Sequence, residues 1–389
     1  MALTADERDE LRATARALLG RASSSERVRE VVAGPDGFDR ALWAQFVELG
    51  WTSIHIDERH GGAGCGWADL AVVVQELGRA LTPSPFLASA VLATGALSLA
   101  TNESVAGQLL PRLVDGSAIG SVAFANASGS YEPGQLATRW SEVGSGVRLD
   151  GTAGFVLDAD VADVLVVAAR HDDGRVIAVV VDTTEPGIAV ERVPTVDETR
   201  RLFTVSFDGV DVGADRLLCA PGPDADALLD RVLSLGAVAA ATDAAGTTEQ
   251  ALEATAAYAK ERMQFGKPIG SFQAVKHHCA NMAIAVEASR AAARAAADAL
   301  DGDPATWATA ASIATSYVGP ACAEACALEM RVHGGIGFTW EHDTHLHLKR
   351  VKLDEVLFGT PSWHRRRLAD AVFPGIVAPV PAPQPEEAR

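Results

Sequence analysis

Two changes of residue period along one chain decide most of what it can fold into. Up to about residue 115, apolar residues recur at helical spacing. Near residue 118 the pattern turns into short Val-rich runs split by turn residues, such as DVLVVAAR, VIAVVVD and RLFTVSFDGVDV. From about residue 226 helical spacing returns in long Ala-dense segments, whose small side chains suit closely packed helices. At 389 residues the chain exceeds one ordinary core. The expected fold is therefore α+β and multidomain: an N-terminal helical domain over 1–117, a central β-barrel or sandwich over 118–225, and a C-terminal four-helix bundle over 226–374. Residues 375–389, PGIVAPVPAPQPEEAR from Pro374, read as a Pro-rich extended or disordered tail. Locally, Thr4 stands three residues before Glu7, the signature of a capping box opening the first helix. Gly144, Gly146, Gly151 and Gly154 fall between strands, so they are hairpin glycines and not a dinucleotide fingerprint.

The formal net charge of −18 speaks against nucleic acid and anionic membrane surfaces as partners. A ligand carrying phosphates would need a local cationic site. Three of the five lysines, Lys260, Lys267 and Lys276, crowd around one stretch, ERMQFGKPIGSFQAVKHH at 261–278. There Gly266, Pro268 and Gly270 break a helical hairpin, and the break carries Arg262, Gln264 and Phe265. The five cysteines form no CxxC pair, and Cys322 and Cys326 read as small buried residues on a helix. The first residues carry early acids and no apolar core segment, so no signal peptide is expected, and no apolar run approaches membrane-spanning length. These features predict a cytoplasmic protein with reduced thiols.

The order of the three units, with RMQFGKPIGSFQAV opening the second hairpin of the bundle and VHGGIGFTWEHDTHLHLKR following its third helix, resembles the acyl-CoA dehydrogenase family. The resemblance runs from LGWTSIHIDERHGGAG and ELGRALTPSPF to VLFGT, ending at Thr360. It implies FAD as cofactor, oxidation of acyl-CoA thioesters to trans-2-enoyl-CoA, and a dimer of dimers with each flavin across a subunit boundary. It also implies an electron-transfer flavoprotein as acceptor. By resemblance Arg262 holds the FAD pyrophosphate, for which a bidentate guanidinium is suited. Gln264 and Gln273 hydrogen-bond the cofactor, Phe265 packs along it, and Gly334 and Gly335 allow close backbone approach to the adenosine half. Arg331 and Thr360 join this cofactor-binding set. In the family these segments serve the flavin seated in the neighbouring subunit. Taken singly, Arg262 has a plainer reading as a cation at a helix C-terminus; the combined segment is what carries the cofactor reading. His342, His345, His347 and Asp343 cluster in sequence, but no second helical pair completes a metal site, so no metal is expected.

The chain departs from the family where the chemistry sits. A carboxylate must reach the α-proton of the thioester. In much of the family it is a Glu before a Gly-Thr; here DEVLFGTPSW places Phe358 before Gly359. Other members carry the Glu on the first bundle helix, at a place that falls here on about Gly236. Glu355, roughly one turn before Phe358, and Asp243, about 10 Å along the helix from Gly236, are fallback bases, although both read more plainly as solvent-facing acids. The strand ends that meet the isoalloxazine in the family read FANASGS (Phe124–Ser130) and Phe155-Val156-Leu157 here. Leu157 cannot supply the hydroxyl hydrogen bond expected at flavin N5. Base and isoalloxazine contacts are thus lost together while the Arg/Gln/Phe-Gly-Gly half is kept. This pattern resembles the base-less subunits of heteromeric (α2β2) actinobacterial acyl-CoA dehydrogenases, whose bulky substrates include CoA thioesters of steroid side chains. Alternatives are a homo-oligomeric dehydrogenase using Glu355 or Asp243, a flavin monooxygenase on the same fold, or a non-catalytic scaffold.

Overall fold

The computed structural model describes residues 2–374, and the Pro-rich stretch at 375–389 lies outside them. The N-terminal helices are α1 (Ala5–Ala22), α2 (Ser25–Ala33), α3 (Arg40–Glu48), α4 (Trp67–Arg79), α5 (Thr94–Ser98) and α6 (Glu103–Val114), with a π-helical stretch, Leu87–Ala93, leading into α5. The expected capping box forms: the Thr4 hydroxyl accepts from the Glu7 N–H, and the Glu7 carboxylate accepts from the Thr4 N–H.

Seven strands follow: β1 (Gly120–Ala123), β2 (Arg139–Val143), β3 (Gly146–Leu157), β4 (Val164–Arg170), β5 (Val176–Asp182), β6 (Ile188–Val193) and β7 (Leu202–Gly213). They form one sheet in the order β1-β4-β2-β3-β7-β6, with β5 also paired to β4. β1 and β4 run parallel, while β3, β6 and β7 are antiparallel neighbours. The sheet curls around a core of its own. In β4, Leu165, Val167 and Ala169 enter that core with Trp140, Leu149 and Val205. Val164, Val166 and Ala168 instead join the core shared with the helices. Burial on both faces explains why β4 and β5 read as unbroken apolar runs without alternation.

The C-terminal helices are α7 (Pro223–Glu261), α8 (Gln273–Leu300), α9 (Trp307–His333), α10 (Thr344–Asp354) and α11 (Pro361–Val372). Between α7 and α8 lies a small hairpin of β8 (Met263–Gln264) and β9 (Lys267–Pro268). α7, about 58 Å long by helix rise, packs against α4, α8, α9 and α10. The helical–β–helical order expected from the changes of period is the order observed.

A buried ionic cluster ties the three layers of this junction together. Asp197, Thr199 and Arg200 come from the connection before β7, Asp243 from α7, and Arg350 and Asp354 from α10. Arg200 pairs with Asp243 at 2.8 Å and Asp354 at 3.4 Å, and Arg350 with Asp197 at 3.2 Å and Asp243 at 3.3 Å. Among the described residues no helix is long and apolar enough to cross a membrane.

Candidate functional site

Phe358 lies just beyond α10 in a left-handed conformation (φ 60°), with its ring buried. The ring rests on Gly236 of α7, so closely that a Cβ there would stand 2.7 Å from it. The two positions at which a base was sought are therefore in contact, and the Phe358 ring occupies the space a Glu at 236 would need. Tyr131 closes the other side. Its ring centroid lies 6.0 Å from that of Phe358, and its hydroxyl accepts weakly from the Phe358 N–H at 3.4 Å. Burial pushes the Tyr131 phenol up to about 12, against the opposing effect of that N–H. Beside this contact, the indole N–H of Trp363, in the first turn of α11, donates to Glu132 at 2.6 Å. Phe124, Phe155, Leu157 and Val232 complete the walls, leaving about 10 Å³ of space. That is scarcely room for one water, and none for a planar ring system or an acyl chain. Phe155 itself sits at φ 53° beside a register shift between β3 and β7, which turns its ring toward this space.

Neither fallback base faces this space freely. Asp243 is buried, contrary to its reading as a solvent-facing acid, because Arg200 and Arg350 converge on it. Burial alone would raise its pKa, but the two guanidiniums outweigh burial and hold it below the ordinary value. Asp354 goes the other way: burial, with the neighbouring Asp243 charge, raises it well above the carboxylate range despite Arg200. Glu355 is partly buried, ion-paired with Lys352, and packed against Gly319 of α9. Thr360 caps α11, its hydroxyl accepting from the Trp363 N–H at 3.2 Å.

The residues of the 261–278 stretch are built differently. The chain leaves α7 at Arg262, whose backbone is extended. It turns at Phe265 (φ 52°) and Gly266 (φ 79°), the two left-handed positions of a tight two-residue hairpin turn. Phe265 is 89% exposed and makes a T-shaped contact with the Phe272 ring, 6.0 Å away between centroids. Among the described residues the side chains of Arg262, Gln264 and Gln273 engage no hydrogen-bond or ion-pair partner. α8 begins at Gln273 without a side-chain cap.

The second segment lies at the same end of the bundle. Tyr258, in the last turn of α7, stacks on His333 at the end of α9, with centroids 4.3 Å apart, and His342 packs against His333 at 4.5 Å. Arg331 is exposed in the last turn of α9. Gly334 adopts φ 65°, a conformation that side chains disfavour, and Gly335 has open space before it. Exposed Phe338 and Trp340 follow. His345 packs against the Trp340 ring, with centroids 4.8 Å apart. His347 pairs with buried Glu329 at 3.0 Å; burial opposes its charge, but the Glu329 carboxylate prevails and raises its pKa.

The candidate residues thus fall into two groups on one chain, one closed around Phe358 and one open at the end of the bundle. They are separated by the run of α7 from Gly236 to Arg262, about 39 Å by helix rise. The sequence reading missed Tyr131 as the wall facing Phe358, since the two are 227 residues apart in the chain. The Tyr131-Glu132-Pro133 tripeptide was its local signal.

The architecture agrees with comparisons to known proteins. Residues 5–117 match the model of the acyl-CoA dehydrogenase N-terminal domain, and residues 227–373 that of the acyl-CoA dehydrogenase C-terminal domain. Acyl-CoA dehydrogenase IpdE2 of Mycobacterium tuberculosis is 33% identical over 369 residues, covering 95% of this chain and 98% of that protein. Among solved structures, a variant of the Tcur3481-Tcur3483 steroid ACAD aligns with a TM-score of 0.85 at 30% identity, over 94% of this chain and 98% of that one. The ChsE4-ChsE5 complex from Mycobacterium tuberculosis aligns with a TM-score of 0.85 at 29% identity, over 96% and 99%. With both terminal domains matched and a relative aligned along nearly its whole length, the chain belongs to the acyl-CoA dehydrogenase family.

Proposed function

We propose that this chain is the base-less subunit of a heteromeric FAD-dependent acyl-CoA dehydrogenase, lending the ADP-half contacts to a flavin seated in a related partner chain. The observation that carries the reading is the packing of Phe358 on Gly236. One aromatic ring occupies both places from which a family member could present its base.

FAD fits one half of this chain and not the other. The space between Phe124, Tyr131, Phe155, Leu157 and Phe358 has no room for an isoalloxazine. The open end of the bundle offers the donors a dinucleotide needs: the Arg262 guanidinium, the Gln264 and Gln273 amides, and the backbone around Gly334 and Gly335, with Arg331 nearby. Within this chain the hairpin lies about 39 Å along α7 from the sealed pocket, beyond what one extended dinucleotide bridges, so its ligand belongs to another subunit. When bound, FAD supplies the acceptor for the hydride that leaves the β-carbon of the thioester. This chain's residues then bind and orient: Arg262 compensates pyrophosphate charge, the amides fix the cofactor's position, and Phe265 covers its face against water. The partner chain supplies the carboxylate that takes the α-proton.

The similarity to a steroid ACAD supports a bulky acyl-CoA substrate, such as a steroid side-chain thioester, and that to the ChsE4-ChsE5 complex supports an assembly of unlike chains; an electron-transfer flavoprotein is the acceptor that membership of the family implies. The test is native mass together with bound-flavin stoichiometry, for the chain alone and for the assembly recovered from its host through a tag on this chain. FAD confined to the mixed assembly, at one per pair of unlike chains, is the expected result. A homotetramer of this chain with one FAD per subunit would overturn the reading.

A further inference from the structure

The β8–β9 hairpin has two faces, and the ladder register decides which side chains share one. Gln264 stands directly opposite Lys267, and Met263 opposite Pro268. The ladder continues one step further, since the Ile269 N–H donates to the Arg262 carbonyl at 2.8 Å. Residues directly opposite one another share a face, and so do residues two apart on a strand. Arg262, Gln264 and Lys267 therefore project from one face, while Met263 and Pro268 take the other. Lys267 is held there: its ammonium lies 4.5 Å from the centroid of the Phe272 ring, over its face, immediately before Gln273. No carboxylate among the described residues pairs with Lys267 or with Arg262.

We infer that Lys267 is a second cationic contact to the cofactor, sharing with Arg262 the two negative charges of the FAD pyrophosphate. The inference rests on the proposed trans-held flavin. A pyrophosphate diester carries two charges at neutral pH, and Arg262 answers one of them. In a chain of net charge −18 the other would otherwise meet an unfavourable field. Lys260 and Lys276 are also near, but they stand in the last turn of α7 and the first turn of α8, where the ladder does not direct them to this face.

The test uses the intact assembly purified from its host, stripped of flavin and titrated with FAD by flavin fluorescence at several salt concentrations. Lys267→Met keeps an unbranched side chain over Phe272 and removes the charge. It is expected to weaken FAD binding about five- to tenfold and to flatten the salt dependence of binding, with Lys267→Arg restoring both. Lys260→Met should bind as the unmodified assembly does. A merely structural role for Lys267 would leave the salt dependence unchanged, and that result counts against the inference. If Lys267→Met binds FAD normally while Arg262→Met does not, the inference fails and the trans-held flavin stands. If neither substitution weakens binding, both fail. Break-up of the assembly by Lys267→Met in saturating FAD would make Lys267 a protein–protein contact and also overturn the inference.

Discussion

At the scale of single residues, the feature with most consequence is the Phe358–Gly236 contact. A side chain at 236 has nowhere to go, since its Cβ would fall 2.7 Å from the ring. Gly236→Ala should therefore destabilise the chain by about 1–3 kcal/mol through overpacking, read as a lower denaturation midpoint. Phe358→Ala should cost about 3–5 kcal/mol, the usual loss for a buried aromatic. The pair must be strongly non-additive, because the alanine methyl at 236 moves into space the ring has left. Additive losses in a double-mutant cycle would show that ring and glycine do not meet. Asp243 gives the opposite lesson about single residues: an acid that composition alone assigns to the surface is buried because two guanidiniums reach it, Arg350 from 107 positions away.

At the scale of elements, the connection after β3 carries a carboxyl whose titration couples the stability of the chain to pH. Asp158 sits at φ 48° and is partly buried, and desolvation of its carboxyl, helped by the Asp160 charge, raises its pKa to about 7 against the pull of Arg200, Arg201 and Arg350. The folded chain thus keeps a proton that the unfolded chain releases at about pH 4. Its contribution to stability is fully present below that pH and is lost as pH rises toward about 7. Asp158→Asn tolerates the left-handed backbone and removes the titration. The stability of this variant relative to the parent should rise between pH 4 and pH 8, by on the order of 2–4 kcal/mol. A constant difference across that range would mean that Asp158 is ionised throughout.

What the sequence discloses divides at this same scale. The capping box at Thr4 and Glu7, the Val-rich strands and the break after α7 are local, so they are legible from neighbouring residues. The closure of the pocket is not, because Tyr131, Phe155, Gly236 and Phe358 come from four separate segments of the chain and no spacing rule relates them. The substitutions at 236 and 358 each read as a missing carboxylate; only the fold shows that one ring fills both places. The exposure of Phe265 lies between these cases. A Phe-Gly turn is visible in sequence, but an aromatic left 89% exposed declares itself only once the hairpin is seen to project from the end of the bundle.

At the scale of the whole molecule, the proposed pairing of one closed and one open half-site on each chain imposes an arithmetic on any assembly. Phe265, Phe338 and Trp340 are 89%, 71% and 64% exposed at the open end, and several large apolar groups exposed at one end of a bundle call for a covering partner. If that partner carries its own flavin groove, each pair of unlike chains has one complete site and one closed one. Arg262→Met in this chain should then leave its own folding stability within about 0.5 kcal/mol, since the side chain is exposed. It should nonetheless strip FAD from the assembly, although the partner is unaltered. Phe358→Glu should do the reverse. It places a carboxylate where much of the family has one, yet the walls formed by Tyr131, Phe155 and Leu157 still exclude the isoalloxazine, so flavin content should stay at one per pair. The isolated Phe358→Glu chain should likewise oxidise no acyl-CoA. Flavin rising toward two per pair, or turnover by that chain alone, would mean that the missing base is the only defect and that the closed pocket opens once Phe358 is gone.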